Sequence, residues 1–205
     1  MIRWFITLIY KKIVIAGTPG VGKTSVAKAL SDRIGGFHLD LSSFAISRNL
    51  ILYYDEARES YVIDENRLVR EVVEILKNVE TVVIDTHYPE IIPRDVIDIV
   101  FILRLHPNVL YERLRSRNWP IRKIKENVLA EALSIVALNA LEHYGVEKVF
   151  EIDTTSLSIE EIVFTIINTM KGSRELEPGI RIDWLEKISP EDLDKFSDLG
   201  FNNEV

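Results

Sequence analysis

The stretch "KKIVIAGTPGVGKT", residues 11–24, decides the reading of this chain. Its first half is a short apolar run flanked by charge and closed by glycine, the form of a buried strand in a parallel sheet. Its second half, Gly17 to Thr24, matches G-x-x-x-x-G-K-S/T in full. The residues that follow, "KTSVAKALSDRIG", put Val26, Ala27, Leu30 and Ile34 at helical spacing, and Gly35-Gly36 stops the helix. A glycine-rich bend between a strand and a helix is built to hold phosphate. Glycine lets consecutive N–H groups turn inward around phosphate oxygens. The helix N-terminus adds the positive end of its dipole. Gly17, Gly20, Val21, Gly22, Lys23, Thr24 and Ser25 are therefore the candidate nucleotide-binding positions. Lys23 reaches the β- and γ-phosphates, Thr24 offers a hydroxyl to Mg²⁺, and Ser25 lies near the α-phosphate. The expected ligand is ATP or GTP.

A second stretch, "TVVIDTHYPE" at residues 81–90, gains its meaning from the first. Val82, Val83 and Ile84 suit a buried strand that ends in an acid, Asp85, with His87 two positions on. Alone, Asp85 reads equally well as the start of a turn. Beside a P-loop it reads as the carboxylate that holds Mg²⁺ from a neighbouring strand. A neutral imidazole at His87 could orient a water or the acceptor near the γ-phosphate.

Outward from these motifs, strands alternate with helices. "FHLDL" reads as a short strand, and residues 41–63 are mixed, with weak helical character around "SSFAISRNLI". "DENRLVREVVEILKN" is a strong helix capped by Asp64, with Leu68, Val72, Val73, Ile75 and Leu76 on its apolar face. "DIVFILRL" is a strand, and "PNVLYERLRSR" a helix that starts at Pro107. "IRKIKENVLAEALSIVALNALEHYG" reads as one long helix ending at Gly145. "KVFEID" is a last strand and "SIEEIVFTIINTM" a last amphipathic helix. The pattern predicts an α/β fold, a parallel five-stranded sheet with helices on both faces. A kinase-like P-loop domain is expected over residues 1–171. Residues 172–205 form an acidic tail, with a linker at 172–179 and one or two short helices at 180–198 docked by Trp184 and Leu185.

Composition sets outer bounds. The 205 residues are 47% hydrophobic, enough for one ordinary core. A net charge of −7 makes the chain a poor candidate for binding nucleic acid or a membrane surface through net charge. With no cysteine, disulfides and thiolate metal sites are excluded. Absent Cys and Gln with abundant Ile, Glu and Arg is a mild thermophile signature. The apolar N-terminus "MIRWFITLIYKK" is shorter than the roughly 20 residues that span a bilayer, and it lacks a signal-peptide cleavage site. It is expected to pack on the body as a short extension, and the expected location is the cytoplasm.

Taken together, "GTPGVGKT", the D-x-H at Asp85 and His87, "VIDENRL", "LRLHPNVLYERLRSRNW" and "KIKENVLAEAL" resemble the adenylate kinase isoenzyme 6 family, also called nuclear adenylate kinase. The resemblance runs from about residue 11 to about residue 170. It implies a small nucleoside monophosphate kinase with an NMP-binding segment at about 40–63 and a short lid at about 116–126. It further implies reversible transfer from ATP to AMP, ATPase activity, and a part in late maturation of the small ribosomal subunit. The partner there is a ribosomal protein of the uS-eleven family, released on hydrolysis. On this resemblance Lys23, Asp85, His87 and Arg117 are the catalytic set, Thr24 and Asp85 hold the metal, and Arg117 is the lid arginine. The surrounding basic cluster reads alternatively as a solvated helix face. No lid cysteines are present, so this is not a zinc-bearing long lid.

The NMP segment departs from the family pattern. The family's arginine near its start falls on Ile46, with Arg48 two positions on and Arg58 as a second candidate. This weakens the expectation of tight AMP binding and favours an ATP-switched assembly factor as the alternative. A P-loop kinase of another small metabolite is a third reading. Tyr53, Tyr54 and Tyr61 read either as packing or as a base-stacking group. His38, His106 and His143 read as structural or surface residues.

Overall fold

The computed structural model describes residues 10–56, 60–172 and 175–197. The N-terminal extension before Tyr10 and Arg58 lie outside the described residues. Elements follow in the order β1 (Lys12–Ala16), α1 (Lys23–Ile34), β2 (Phe37–Asp40), α2 (Leu41–Ser47), β3 (Ile51–Asp55), β4 (Ser60–Ile63), α3 (Glu65–Asn78), β5 (Val82–Thr86), β6 (Ile99–Arg104), α4 (Pro107–Ser116), α5 (Ile121–Ala132), α6 (Ile135–Tyr144), β7 (Val149–Asp153), α7 (Ile159–Met170) and α8 (Pro190–Ser197). Five strands form one sheet in the order β2-β5-β1-β6-β7, and every pairing is parallel. The expected α/β fold with a five-stranded parallel sheet is the observed one.

Alternation along β1 divides the core. Ile13 and Ile15 face one layer with α1, α4, α5 and α7, while Val14 and Ala16 face the other with α2, α3 and α6. Both faces are covered, which is why the strands read as unbroken apolar runs. Chain order reverses about β1, the central strand. Such a switch point opens a crevice at the carboxyl ends of the strands.

Local signals mostly act where they stand. Asp64 caps α3 by accepting the Arg67 N–H at 3.0 Å, and Leu68, Val72 and Leu76 are buried beneath it. Ser158 and Glu161 close a capping box on α7. Two expectations are corrected. The long helix read across residues 121–144 is two helices, α5 and α6, broken at Ser134, whose φ of 57° is left-handed. The break turns the Glu131 carbonyl and the Ser134 hydroxyl toward the buried Arg104, each at 2.9 Å from its Nη2. A second difference lies in residues 41–63. Besides α2 they form an antiparallel hairpin, β3–β4, pairing Tyr54 with Tyr61.

The tail lies against the body. Gly179 bridges Phe150 in parallel beside β7, and the Arg181 and Ile182 N–H groups donate to Glu151 Oε2. Trp184 is buried, as expected, but Leu185 is 44% exposed and Phe196 of α8 is fully buried in its place. Leu185 follows a turn in which its N–H donates to Asp183, which directs its side chain outward. Among the described residues no helix is long and apolar enough to cross a membrane.

Candidate functional site

The bend after β1 shows why its glycines are glycines. A Cβ on Gly17 would stand 2.5 Å from the Leu103 carbonyl oxygen of β6, so no side chain fits there. Gly22 takes φ 112° at the N-cap of α1, a conformation that a side chain would strain. No side chain caps α1. Its first-turn N–H groups are therefore open to an anion. Val21 is buried beneath the loop, and its N–H donates to the Thr18 carbonyl at 3.3 Å. Thr24 and Ser25 are exposed on the first turn of α1.

Lys23 folds back over this bend and donates to the Thr18 carbonyl at 3.2 Å. Burial lowers its pKa, against the pull of Asp85, Asp40 and Glu131. Asp85 is 3% exposed on β5, in register with Ile15 of β1 on one side and Asp40 of β2 on the other. Burial raises its pKa and Asp40 adds to this, while the Thr24 hydroxyl and the Lys23 ammonium oppose it. Among the described residues its Oδ2 has no hydrogen-bond partner, and neither has His38 Nε2, 3.9 Å away. An unpaired carboxylate oxygen in the interior is costly. One beside the Thr24 hydroxyl and the Lys23 ammonium suits a divalent cation arriving with a polyphosphate. Among the described residues no group of three or more His, Asp or Glu could hold a metal.

His87 follows β5. Burial, then the nearby Lys23 charge, lowers its pKa to about 4, so its imidazole is neutral at pH 7. With Thr18, Pro19, Lys23, Trp119 and Asn139 it lines a cleft of about 840 Å³. Residues of the segment 116–126 and of the hairpin, including Lys123 and Ser60, line the same cleft.

The structure thus brings together the P-loop, Lys23, Thr24, Asp85 and His87. Two other expected site residues are exposed. Arg117 is exposed at the carboxyl end of α4. The arginine that reaches the P-loop is Arg113, donating to the Gly20 and Val21 carbonyls at 3.2 and 3.1 Å. Arg48 is exposed at the end of α2, 3.8 Å from Glu71 and over the Phe44 ring. Tyr54 and Tyr61 pack edge to face, with their centroids 5.2 Å apart. Three contributors escaped the sequence reading: Thr18, which the motif treats as any residue, His38 and Asp40. A strand ending two residues after a histidine was the one available signal for the latter pair.

Comparisons agree with this geometry. The family model described as "AAA domain" matches residues 13–134. The protein named "Putative adenylate kinase" from Saccharolobus solfataricus is 42% identical over 156 residues, covering 76% of this chain and 81% of that one. The protein of the same name from Methanocaldococcus jannaschii is 38% identical over 176 residues, covering 86% and 94%. Among solved structures, a shikimate kinase from Acinetobacter baumannii superposes with a TM-score of 0.58 at 16% identity, over 80% of this chain and 94% of that one. A gluconokinase from Sinorhizobium meliloti gives 0.56 at 18%, with the same coverage. These two show the shared fold of P-loop kinases. The chain is a P-loop protein and belongs to the archaeal family whose members carry the name "Putative adenylate kinase".

Proposed function

We propose that this protein is an ATP-dependent nucleoside monophosphate kinase, catalysing ATP + AMP = 2 ADP, with an accompanying ATPase activity. The observation that carries the reading is the buried Asp85, its Oδ2 unpartnered among the described residues, beside the Thr24 hydroxyl and the Lys23 ammonium. The 38–42% identity to proteins named for this activity supports the choice of nucleotide substrates.

Each residue has a task. The amides of Gly17 to Ser25 cradle the phosphates, and Lys23 leaves the Thr18 carbonyl to meet the β- and γ-oxygens. Thr24 and Asp85 would hold Mg²⁺, and the ion would supply positive charge against the negative charge that builds on the transferring group. His87, neutral, donates its ring N–H to the acceptor phosphate or accepts a hydrogen bond from an attacking water. Arg117 swings in with the lid, and the lid excludes water from the cleft. Arg48 and Arg58 hold the acceptor phosphate within the segment 40–63. Most of the rate comes from positioning and fixed charge.

A second activity of the same site follows from Ile46. The absence of an arginine there weakens the acceptor site, and the exposed Leu52, Tyr53 and Tyr61 of the hairpin offer a protein-binding surface beside it. The finer assignment is therefore to the isoenzyme 6 type. In that type ATP hydrolysis at Asp85 and His87 releases a small-subunit ribosomal protein of the uS-eleven family. A turnover assay with ATP alone and with ATP plus AMP tests the kinase reading. AMP-dependent ADP formation, well above the ATP-only rate, is expected. Equal rates would remove the kinase activity and leave the ATPase. A pull-down of the ribosomal protein, with and without ATP, tests the partner.

A further inference from the structure

Beside the P-loop lies a buried polar cluster that the proposed reaction does not use. Arg104 ends β6 at 1% exposure. Its Nε donates to Glu131 Oε1 at 2.8 Å, its Nη2 to the Glu131 carbonyl and the Ser134 hydroxyl, and its Nη1 to Glu151. Glu131 Oε1 also accepts the Leu105 N–H at 3.1 Å and the Trp184 indole N–H at 3.1 Å. Only Oε2 of Glu131 faces the other way. It accepts the hydroxyl of Thr18, the second residue of the P-loop, at 2.5 Å.

Thr18 is consequently held at two points. Its side chain is anchored to Glu131, and its carbonyl accepts Lys23 Nζ. A lysine that turns to a bound phosphate gives up that carbonyl. Thr18 then keeps the long Val21 N–H contact on its carbonyl at 3.3 Å and the Glu131 anchor on its side chain, the latter a charge-assisted hydrogen bond in a low-dielectric interior. The carboxylate is a rigid plane, so a displacement of Oε2 tilts Oε1 against its three donors. Two of them, Arg104 and Leu105, belong to the sheet end. The third, Trp184, belongs to the tail.

We propose that Glu131 is a positioning residue coupling nucleotide occupancy of the P-loop to the C-terminal tail, through Thr18 on one side and Trp184 on the other. The tail from Gly179 to Trp184 is then a working part of the phosphate site, held in place by Glu151 as well. Glu131 sits on the last turn of α5, the helix whose first turns belong to the expected lid segment. This inference rests on the nucleotide reading of the P-loop.

The test uses the full chain labelled with 5-fluorotryptophan and observed by fluorine NMR. Its three tryptophans, Trp4, Trp119 and Trp184, are assigned by single Trp→Phe variants. On adding Mg·ADP, the Trp119 resonance should move because Trp119 lines the cleft. The Trp184 resonance should move with it. In Thr18→Val the Trp184 shift should vanish while that of Trp119 persists, and Thr18→Ser should restore it. In steady-state assays Thr18→Val should raise KM for ATP about tenfold, and Trp184→Phe about threefold. The double variant should be no worse than Thr18→Val alone, because both act through Glu131. A Trp184 resonance that stays still while Trp119 moves overturns the coupling, as does an unchanged Trp184 shift in Thr18→Val. Multiplying KM effects overturn it too. Stillness at both tryptophans, with no heat of ADP binding, removes the nucleotide reading and the coupling with it.

Discussion

Two polar clusters sit at the carboxyl ends of the two strands that flank β1, and they are finished differently. At the end of β6 every nitrogen of Arg104 donates to a described partner, and all four carboxylate oxygens of Glu131 and Glu151 accept. At the end of β5, Asp85 Oδ2 and His38 Nε2 are buried and partnerless among the described residues. Both clusters carry charge in the interior, yet only one is complete without a ligand. A satisfied network fixes the position of its elements. An unsatisfied one stores a cost that a ligand relieves. On this account the β6 cluster holds the frame and the β5 cluster does the chemistry.

The comparison breaks most visibly in activity. Lys23→Ala should lower turnover about a hundredfold or more, with both kinase and ATPase rates affected and the thermal midpoint nearly unchanged. Full turnover in that variant would remove the P-loop from the mechanism. In stability the two clusters should answer with different signs. Arg104→Met leaves Glu131 and Glu151 facing each other unpaired and should cost about 3–5 kcal/mol in urea unfolding. Asp85→Asn removes a charge that burial disfavours, and without nucleotide it should be neutral or stabilising.

A smaller effect tests a neutral buried group. The Tyr144 hydroxyl donates to the Pro89 and Ile92 carbonyls at 2.7 and 2.9 Å. Tyr144→Phe should cost about 1 kcal/mol at neutral pH. Burial raises the pKa of Tyr144 above the ordinary tyrosine value of 10.0. Above pH 10 the unfolded chain releases this proton while the folded chain keeps it. The stability it contributes is therefore present below pH 10 and lost as the pH rises further. Wild type and Tyr144→Phe should converge there in unfolding free energy. Least of all, Arg48→Ala should change stability by under about 0.5 kcal/mol, because its pair with Glu71 is exposed. It should raise KM for AMP a few-fold. An unchanged KM would move acceptor binding away from Arg48.

The same contrast explains what was legible in the sequence. The P-loop, β1 and the Asp85 strand were legible because their signals are local: a glycine spacing, an apolar run, an acid at its end. The satisfied cluster was not. Its bonds join Thr18 to Glu131 and Glu131 to Trp184, across 113 and 53 residues. Nothing near Ser134 announces a helix break, because Arg104 accounts for it from 30 residues upstream. The β3–β4 hairpin was hidden for another reason. Leu52, Tyr53 and Tyr54 are all about half exposed or more, so no alternation of apolar and polar residues marks the strand. In the tail the expected anchor Trp184 is buried, while Leu185 is not and Phe196, which no local signal marked, is buried instead.

The central claim is that the unfinished cluster at Asp85 is finished by a Mg²⁺-bound nucleotide. Urea unfolding of wild type and Asp85→Asn, each with and without Mg·ADP, tests it most directly. Without nucleotide the variant should be at least as stable as wild type. With nucleotide at a hundredfold excess over the wild-type Kd, wild type should gain about 2.7 kcal/mol and the variant far less. A variant that is destabilised on its own, or that gains as much as wild type from Mg·ADP, would contradict the account.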